Sequence, residues 1–366
     1  MSGKAFIDHF SALEDPRQAG KVLYPLPEIL LLVLCATLSG AEDFVEITRW
    51  GRRKLEVLRR LLAFERGIPS HDTLTDVMNA LPAPLFAECF TAWVESLRED
   101  APDIVAIDGK TSRRARAKGG DPLHLVSAWA SRQRLVLGQE AVAEKGNEIT
   151  AIPLLLERLE LTGALVTIDA IGCQTEIAQA IRDKGADYLL ALKDNRPALA
   201  EEVRLYFDAA PPDALATHET TDGDHGRVEI RRACVSHDVA WLASDRRFPG
   251  LAMIGMVEAE VERDGKTTRA RRYYLSSAPL SAAAFAAAVR AHWGIENRLH
   301  WVMDVVFHDD LMRLRSGSGP ANMATIRHAA LNIVKQIPDK ASLKVRRKTL
   351  GWDDDYLIAA LTQPHR

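Results

Sequence analysis

The chain has 366 residues, 47% of them hydrophobic and 27% charged, with a formal net charge of -3. That balance suits a core-forming globular protein of about two domains, and it excludes both a disordered chain and a uniformly basic partner for polyanions. Cys35, Cys89, Cys173 and Cys234 lie far apart with no C-x-x-C pair, which excludes a zinc knuckle or a disulfide framework and points to a reducing cytoplasmic compartment.

The first 100 residues read as helical throughout, with breaks at Pro25, Pro27, Gly40, Gly51, Gly67 and Pro82. The apolar run from Ile29 to Leu38 is too short to span a bilayer and lacks the marks of a signal peptide, so it reads as a buried helix and no membrane partner is expected. Ser70 is the expected N-cap of a helix with Asp72 in its first turn. Three short helices across 43–80 have helix-turn-helix spacing, but any helical domain shares it, and a helical cap on the next domain is the expectation.

From residue 103 the pattern changes. Strands are predicted over 103–108, 123–130 and 134–143, then a helix over 150–160, a strand over 164–169, a helix over 174–185 and a strand over 187–193. Strands joined through helices pair in parallel, so these form a mixed sheet with helices on its faces. Residues 212–280 read as a β-rich insertion with a turn at Asp264-Gly265. A helix starts at Ser281 and runs past Glu296.

Two strands close alike, VAID at 105–108 and VTID at 166–169, each followed within three residues by glycine. Carboxylates at the ends of buried strands sit where open α/β sheets hold ligands. Paired there, they repel unless a cation intervenes, and an all-oxygen donor set suits Mg²⁺ or Mn²⁺. Taken singly, each aspartate reads equally well as a turn former or helix N-cap. The Gly109-Lys110-Thr111 run is not a P-loop, because position 104 is isoleucine where glycine is needed.

The segment HWGIENRLHW at 292–301 carries the second signal. On a helix His292, Glu296, His300 and Asp304 share one face. That face is either a buried polar patch or part of a site to which Glu296 adds a third carboxylate. Without H-E-x-x-H order a zinc site is set aside, and Trp293 and Trp301 are expected to pack in the core rather than stack on a base.

The motifs DGK at 108–110, LHLVSAW at 123–129, KGNEITAIPLL at 145–155, TIDAIGCQ at 167–174, YLLALKDN at 188–195, HGRVEIR at 225–231 and HWGIENRLHWVMDVVFHDD at 292–310 together resemble the DDE transposases of bacterial insertion sequences, in the group with the H-repeat-associated proteins. DPR at 15–17 and IPSHDT at 68–73 resemble the helical domain that precedes the core there. The resemblance spans nearly the whole chain.

It implies an α/β, RNase H-like mixed five-stranded sheet with flanking helices and a β-rich insertion, preceded by an all-helical N-terminal domain. The implied division is 1–100 helical, 101–310 catalytic core interrupted at about 212–280, and 311–366 basic and helical. Asp108, Asp169 and Glu296 would be the catalytic triad and the ligands of two Mg²⁺ ions, or Mn²⁺, with Asp108 bridging. The implied partners are the element's terminal inverted repeats and target DNA, bound by a homodimer in the cytoplasm at the nucleoid. Two rival readings are an inactive DNA-binding descendant and an RNase H-like nuclease without a joining step.

The sequence departs from the family pattern around the glutamate, with His292 in an arginine slot and Met303 in a lysine slot, and Gly146 stands where serine is expected. Arg298 and His300 are therefore candidate phosphate contacts. Further DNA contacts are expected from Lys110, Arg113 and Arg114, from Arg227 with Arg231 and Arg232, and from Arg346 and Arg347. The last two lie in a stretch from Leu311 to Lys348 with nine Lys or Arg and one acid.

Overall fold

The computed structural model describes residues 2–99, 101–112, 122–142, 148–211, 214–224, 227–242, 248–263, 265–311 and 314–362. The chain begins with six helices: α1 (Ser2–Phe10), α2 (Leu26–Leu38), α3 (Phe44–Arg53), α4 (Leu55–Leu58), α5 (His71–Ala80) and α6 (Ala83–Glu95). Caps fix their starts, since Asp43 accepts from the Glu46 N–H at 2.8 Å and Ser70 from the Thr73 N–H at 3.2 Å. Every residue of α2 except Pro27 is buried. A helix apolar on all sides must be enclosed, and α2 is covered by α1 and α3 and by two helices from the other end of the chain, α12 (Gly319–Gln336) and α13 (Leu343–Trp352). The N- and C-terminal helices, with α14 (Asp354–Thr362), thus share one core.

Between them lies the sheet. Its strands are β1 (Ile104–Ser112), β2 (Leu123–Ala130), β3 (Leu135–Val142), β4 (Leu165–Ile168), β5 (Asp187–Leu192), β6 (Ala216–Asp224), β7 (Arg227–Ser236), β8 (Met253–Arg263) and β9 (Lys266–Ser276). The helices α7 (Glu148–Arg158), α8 (Thr175–Asp183) and α9 (Pro197–Ala209) connect strands, and α10 (Ala282–His292) follows the last one. The first five strands stand in the order β3-β2-β1-β4-β5, with β1, β4 and β5 parallel and β2 and β3 an antiparallel meander. This is the RNase H-like arrangement.

The sheet is wider than the five strands expected. The insertion continues it as β9-β8-β7-β6, with β9 antiparallel to β5 from Leu189 opposite Ser276 to Leu192 opposite Tyr273. The reason is edge protection: β5 is largely buried and apolar, and left as an edge it would offer unpaired backbone to any passing chain. The outer ends of these strands are largely solvent-exposed and are held by cross-strand pairs, Glu258 with Arg271 at 2.6 Å and Glu260 with Arg269 at 2.8 Å.

Alternation along the strands sends successive side chains to opposite faces. Leu189 packs with Phe285, Ala288 and Val289 of α10, while Tyr188 and Leu190 join the main core on the other side. On β1 and β4, Ile104 and Leu165 face α10, so Asp108, Lys110, Thr167 and Asp169 share that face by the same alternation. Gly255 lets α10 approach closely, because a Cβ there would lie 2.5 Å from the Phe285 ring.

Candidate catalytic site

The parallel pairing of β1 with β4 stops at Ile107 opposite Ile168, while β1 itself runs on to Ser112 beside β2. Asp108 is therefore not the last residue of its strand. It is the first whose β4-facing edge is uncovered, and Asp169 is the first residue beyond β4. Asp169 also accepts from the Ile171 N–H at 3.1 Å, capping the short turn Ala170–Gly172. The local N-cap role and the place at the sheet crevice coexist.

Beyond α10 the chain makes a π-helical turn, Glu296–His300, before α11 (Trp301–Val305). In a regular α-helix, side chains four apart drift by about 40° per step, which carries the fourth member of a series off the face. The wider π turn takes back that drift. All four residues of the series consequently address the same edge of the sheet. His292 Nδ1 lies 3.0 Å from Thr167 Oγ1, His300 Nδ1 lies 3.5 Å from Asp108 Oδ2, Asp304 pairs with Lys110, and exposed Glu296 acts on Asp108 through space.

Asp108 is the electrostatic centre of the site. Burial pushes its carboxyl up to about 7, with the charge of Asp169 next; the Gly109 N–H opposes, and the charges of Glu296 and Glu148 add to the rise. His300 is held down to about 3 by burial, then by Lys110 and the neighbouring histidines. It is neutral at pH 7, so its approach to Asp108 is not an ion pair. Beneath them, buried Asp309 pairs with Arg327 at 2.8 Å and stands 3.9 Å from Lys110.

The donor set is one for a hard divalent cation. A carboxyl whose proton affinity is raised by burial and by neighbouring carboxylates, as that of Asp108 is, is what Mg²⁺ or Mn²⁺ relieves, and Mg²⁺ commonly takes only one or two protein carboxylates, with water and substrate phosphates completing its shell. Among the described residues, no three His, Cys, Asp or Glu side chains stand close enough to ligate one ion together. The chemistry fits the ion, and a closed protein cage is not part of it.

Several expected DNA contacts are instead engaged inside the fold. Arg347 is buried, donating to the carbonyls of Thr37 and Val306 and lying 4.4 Å over the Phe307 ring. Arg346 donates to the carbonyls of Ala341, Val334, Ile337 and Asp339, closing the end of α12. Arg327 and Lys335 also turn inward, with Lys335 3.8 Å over the Trp129 ring, so much of the C-terminal basic excess is structural. Lys110 is committed to Asp304, and neutral, inward His300 offers phosphate no charge. Arg231 and Arg232 pair with Glu229 and Glu219, each at 2.8 Å.

Arg298 remains exposed, two residues from Glu296. Arg113, Arg114 and Gly146 lie outside the described residues, as does the side chain of Arg227. The tryptophans reverse expectation: Trp293 is 38% and Trp301 57% exposed, with Arg272 stacked 4.6 Å over Trp293. On a segment whose buried face is taken by Ile295, Leu299, Val302 and Met303, they stay at the surface.

The sequence reading gave no role to Glu148 or His124. Both sit in quoted motifs, and the available signal was a lone histidine in an apolar strand, LHLVSAWA, with an acid opening the helix after the next strand.

Residues 99–333 match the family of transposase DDE domains, and residues 7–94 match the domain associated with it. The chain is 37% identical to YhhI of Escherichia coli (strain K12), named as an H repeat-associated transposase candidate, across 99% of this chain and 98% of that one. It is 40% identical to an uncharacterized protein from the dhlA 3' region of Xanthobacter autotrophicus, over 73% of this chain and 92% of that one. It is also 43% identical to YbfQ of Escherichia coli (strain K12), named an inactive transposase, over 22% of this chain and 94% of that one. A solved piggyBac transposase synaptic complex with hairpin DNA aligns at TM-score 0.43 with 11% identity, over 100% of this chain and 79% of that one. No described helix is long and apolar enough to cross a membrane.

Proposed function

Since the chain belongs to the DDE transposases, we propose that it cuts the ends of its own insertion element and joins them to target DNA, with Asp108, Asp169 and Glu296 as the acids that hold a pair of Mg²⁺ ions. The observation that carries this reading is the state of Asp108, held near a pKa of about 7 by burial and by three facing carboxylates at an uncovered strand edge. The divalent ions, when bound, supply Lewis-acid stabilisation to the attacked phosphate and its leaving oxygen.

The protein's own groups set the stage. Asp108 would hold a cation in its ionised form, since an opposite charge offsets the penalty that burial and the neighbouring carboxylates place on that form. Asp169 is anchored by the Ile171 N–H, so its position is fixed before any ligand binds. Lys110 with Asp304 ties the strand to α11 behind Asp108. Arg298 is the phosphate contact beside Glu296, and two element ends call for two copies of the chain on DNA.

The test is cleavage of labelled element ends by purified protein with Mg²⁺. Asp108→Asn and Glu296→Gln are each expected to lose cleavage and joining while DNA binding persists, since one carboxylate goes and the basic surface stays. Full cleavage by either variant refutes the assignment. A wild-type protein that binds the ends and never cuts them would be an inactive descendant, and one that cuts without joining would be a nuclease.

A further inference from the structure

Glu148 opens α7 on the face of the sheet opposite α10. Its Oε1 lies 2.7 Å from His124 Nε2, and His124 Nδ1 lies 2.8 Å from Thr111 Oγ1. Thr111 and His124 are register partners on β1 and β2. An ionised carboxylate only accepts, so Nε2–H is the donor to Glu148; in the neutral ring Nδ1 then accepts from the Thr111 hydroxyl. Each group in the chain thereby has its partner, and Glu148 has one fixed direction.

That direction leads to the backbone beside Asp108. A Cβ on Gly109 would lie 2.4 Å from Glu148 Oε1 and 2.7 Å from His124 Nε2. The carboxylate occupies the space that any other residue at 109 would fill. Since the β4-side edge of β1 is uncovered from Asp108 onward, acids from both faces of the sheet can gather around that edge: Asp108, Asp169 and Glu296 from the α10 side, Glu148 from the α7 side. Glutamine at 148 would keep the bond to His124 without adding a negative charge to an already repulsive cluster. A purely structural pair has no use for that charge.

We propose that Glu148 is a fourth carboxylate of the divalent-cation site, aimed by His124 and Thr111 through the gap left by Gly109. This rests on the reading that the site holds divalent cations, and it adds a residue outside the expected triad.

The experiment measures Mn²⁺ affinity of the metal-free full-length protein by calorimetry, with electron paramagnetic resonance as a second readout, so no turnover is needed. Wild type is compared with Asp108→Asn, Glu148→Gln, His124→Gln and, as a distant control, Asp76→Asn. Glu148→Gln is expected to weaken Mn²⁺ binding about ten-fold or more, as does Asp108→Asn, with a smaller loss for His124→Gln and none for Asp76→Asn. Gly109→Ala retains all four acids and crowds Glu148 together with its partner His124, so it is expected to weaken binding too, and it serves if Glu148→Gln fails to fold. If Glu148→Gln and Gly109→Ala bind Mn²⁺ as wild type does while Asp108→Asn does not, Glu148 is a structural partner of His124 and the inference falls while the cation reading stands. If Asp108→Asn also binds as wild type does, the cation reading falls and takes the inference with it.

Discussion

Replacing Asp108 by asparagine is expected to stabilise the metal-free protein, and to do so only where the carboxyl would be ionised in the unfolded chain. Its folded pKa stands at about 7 against an ordinary 3.8. Ionising it in place therefore costs on the order of 4 kcal/mol more than in the unfolded chain. Below about pH 4 the group is protonated in both states and contributes nothing. Between about pH 4 and 7 the unfolded chain has released the proton and the folded protein has kept it, so stability falls as pH rises, and the full penalty stands above about pH 7. Asparagine removes the charge, and its side-chain oxygen can still accept from the Gly109 N–H. Urea unfolding midpoints of chelator-treated wild type and Asp108→Asn are compared at about pH 4.5 and pH 8. The variant's advantage should be only about 1 kcal/mol at the lower pH and reach about 4 kcal/mol at the higher one. Adding Mg²⁺ at the higher pH should then stabilise wild type more than the variant, because only wild type has the charge to neutralise. An advantage of equal size at both pH values, or none at pH 8, refutes the reasoning, since it would mean that Asp108 ionises in the fold without penalty.

Two further substitutions test where the structure spends its residues. Arg347→Ala should cost about 3 kcal/mol, because it strips charged donors from the buried carbonyls of Thr37 and Val306. Thermal unfolding should register that loss, with DNA affinity per folded molecule unchanged; weaker DNA binding at unaltered stability would return Arg347 to the DNA surface. Gly255→Ala sets a methyl 2.5 Å from the Phe285 ring and should destabilise by about 1–3 kcal/mol through overpacking under α10. Denaturant midpoints check this, and an unchanged midpoint would show that α10 is not seated against β8 as described.

The parts of this molecule that were legible in sequence are those where one periodicity decides the geometry. The runs ending in Asp108 and Asp169 name buried strands because an apolar stretch with a polar stop has few other uses, and the four-residue series from His292 to Asp304 names one helix face. What stayed hidden depends on direction rather than identity. Arg327, Lys335, Arg346 and Arg347 count as a basic run in sequence, yet α12, which carries the first two, is buried along most of its length, and α13, which carries the other two, packs against it, so these cations find carbonyls, a carboxylate or an aromatic ring inside the fold. The tryptophans of HWGIENRLHW failed as core residues for the converse reason: the buried face was already filled by Ile295, Leu299, Val302 and Met303, and hydrophobicity alone does not say which face is vacant. The insertion was legible as strands, but not as a continuation of the sheet, because the need it meets belongs to the edge of β5, more than 20 residues earlier in the chain. Glu148 combines both difficulties. Its significance depends on a missing side chain at position 109 and a histidine on a neighbouring strand, and neither is periodic. Only when the sheet register sets Thr111 opposite His124 does an ordinary helix-opening glutamate come to stand against the backbone of the residue that follows Asp108.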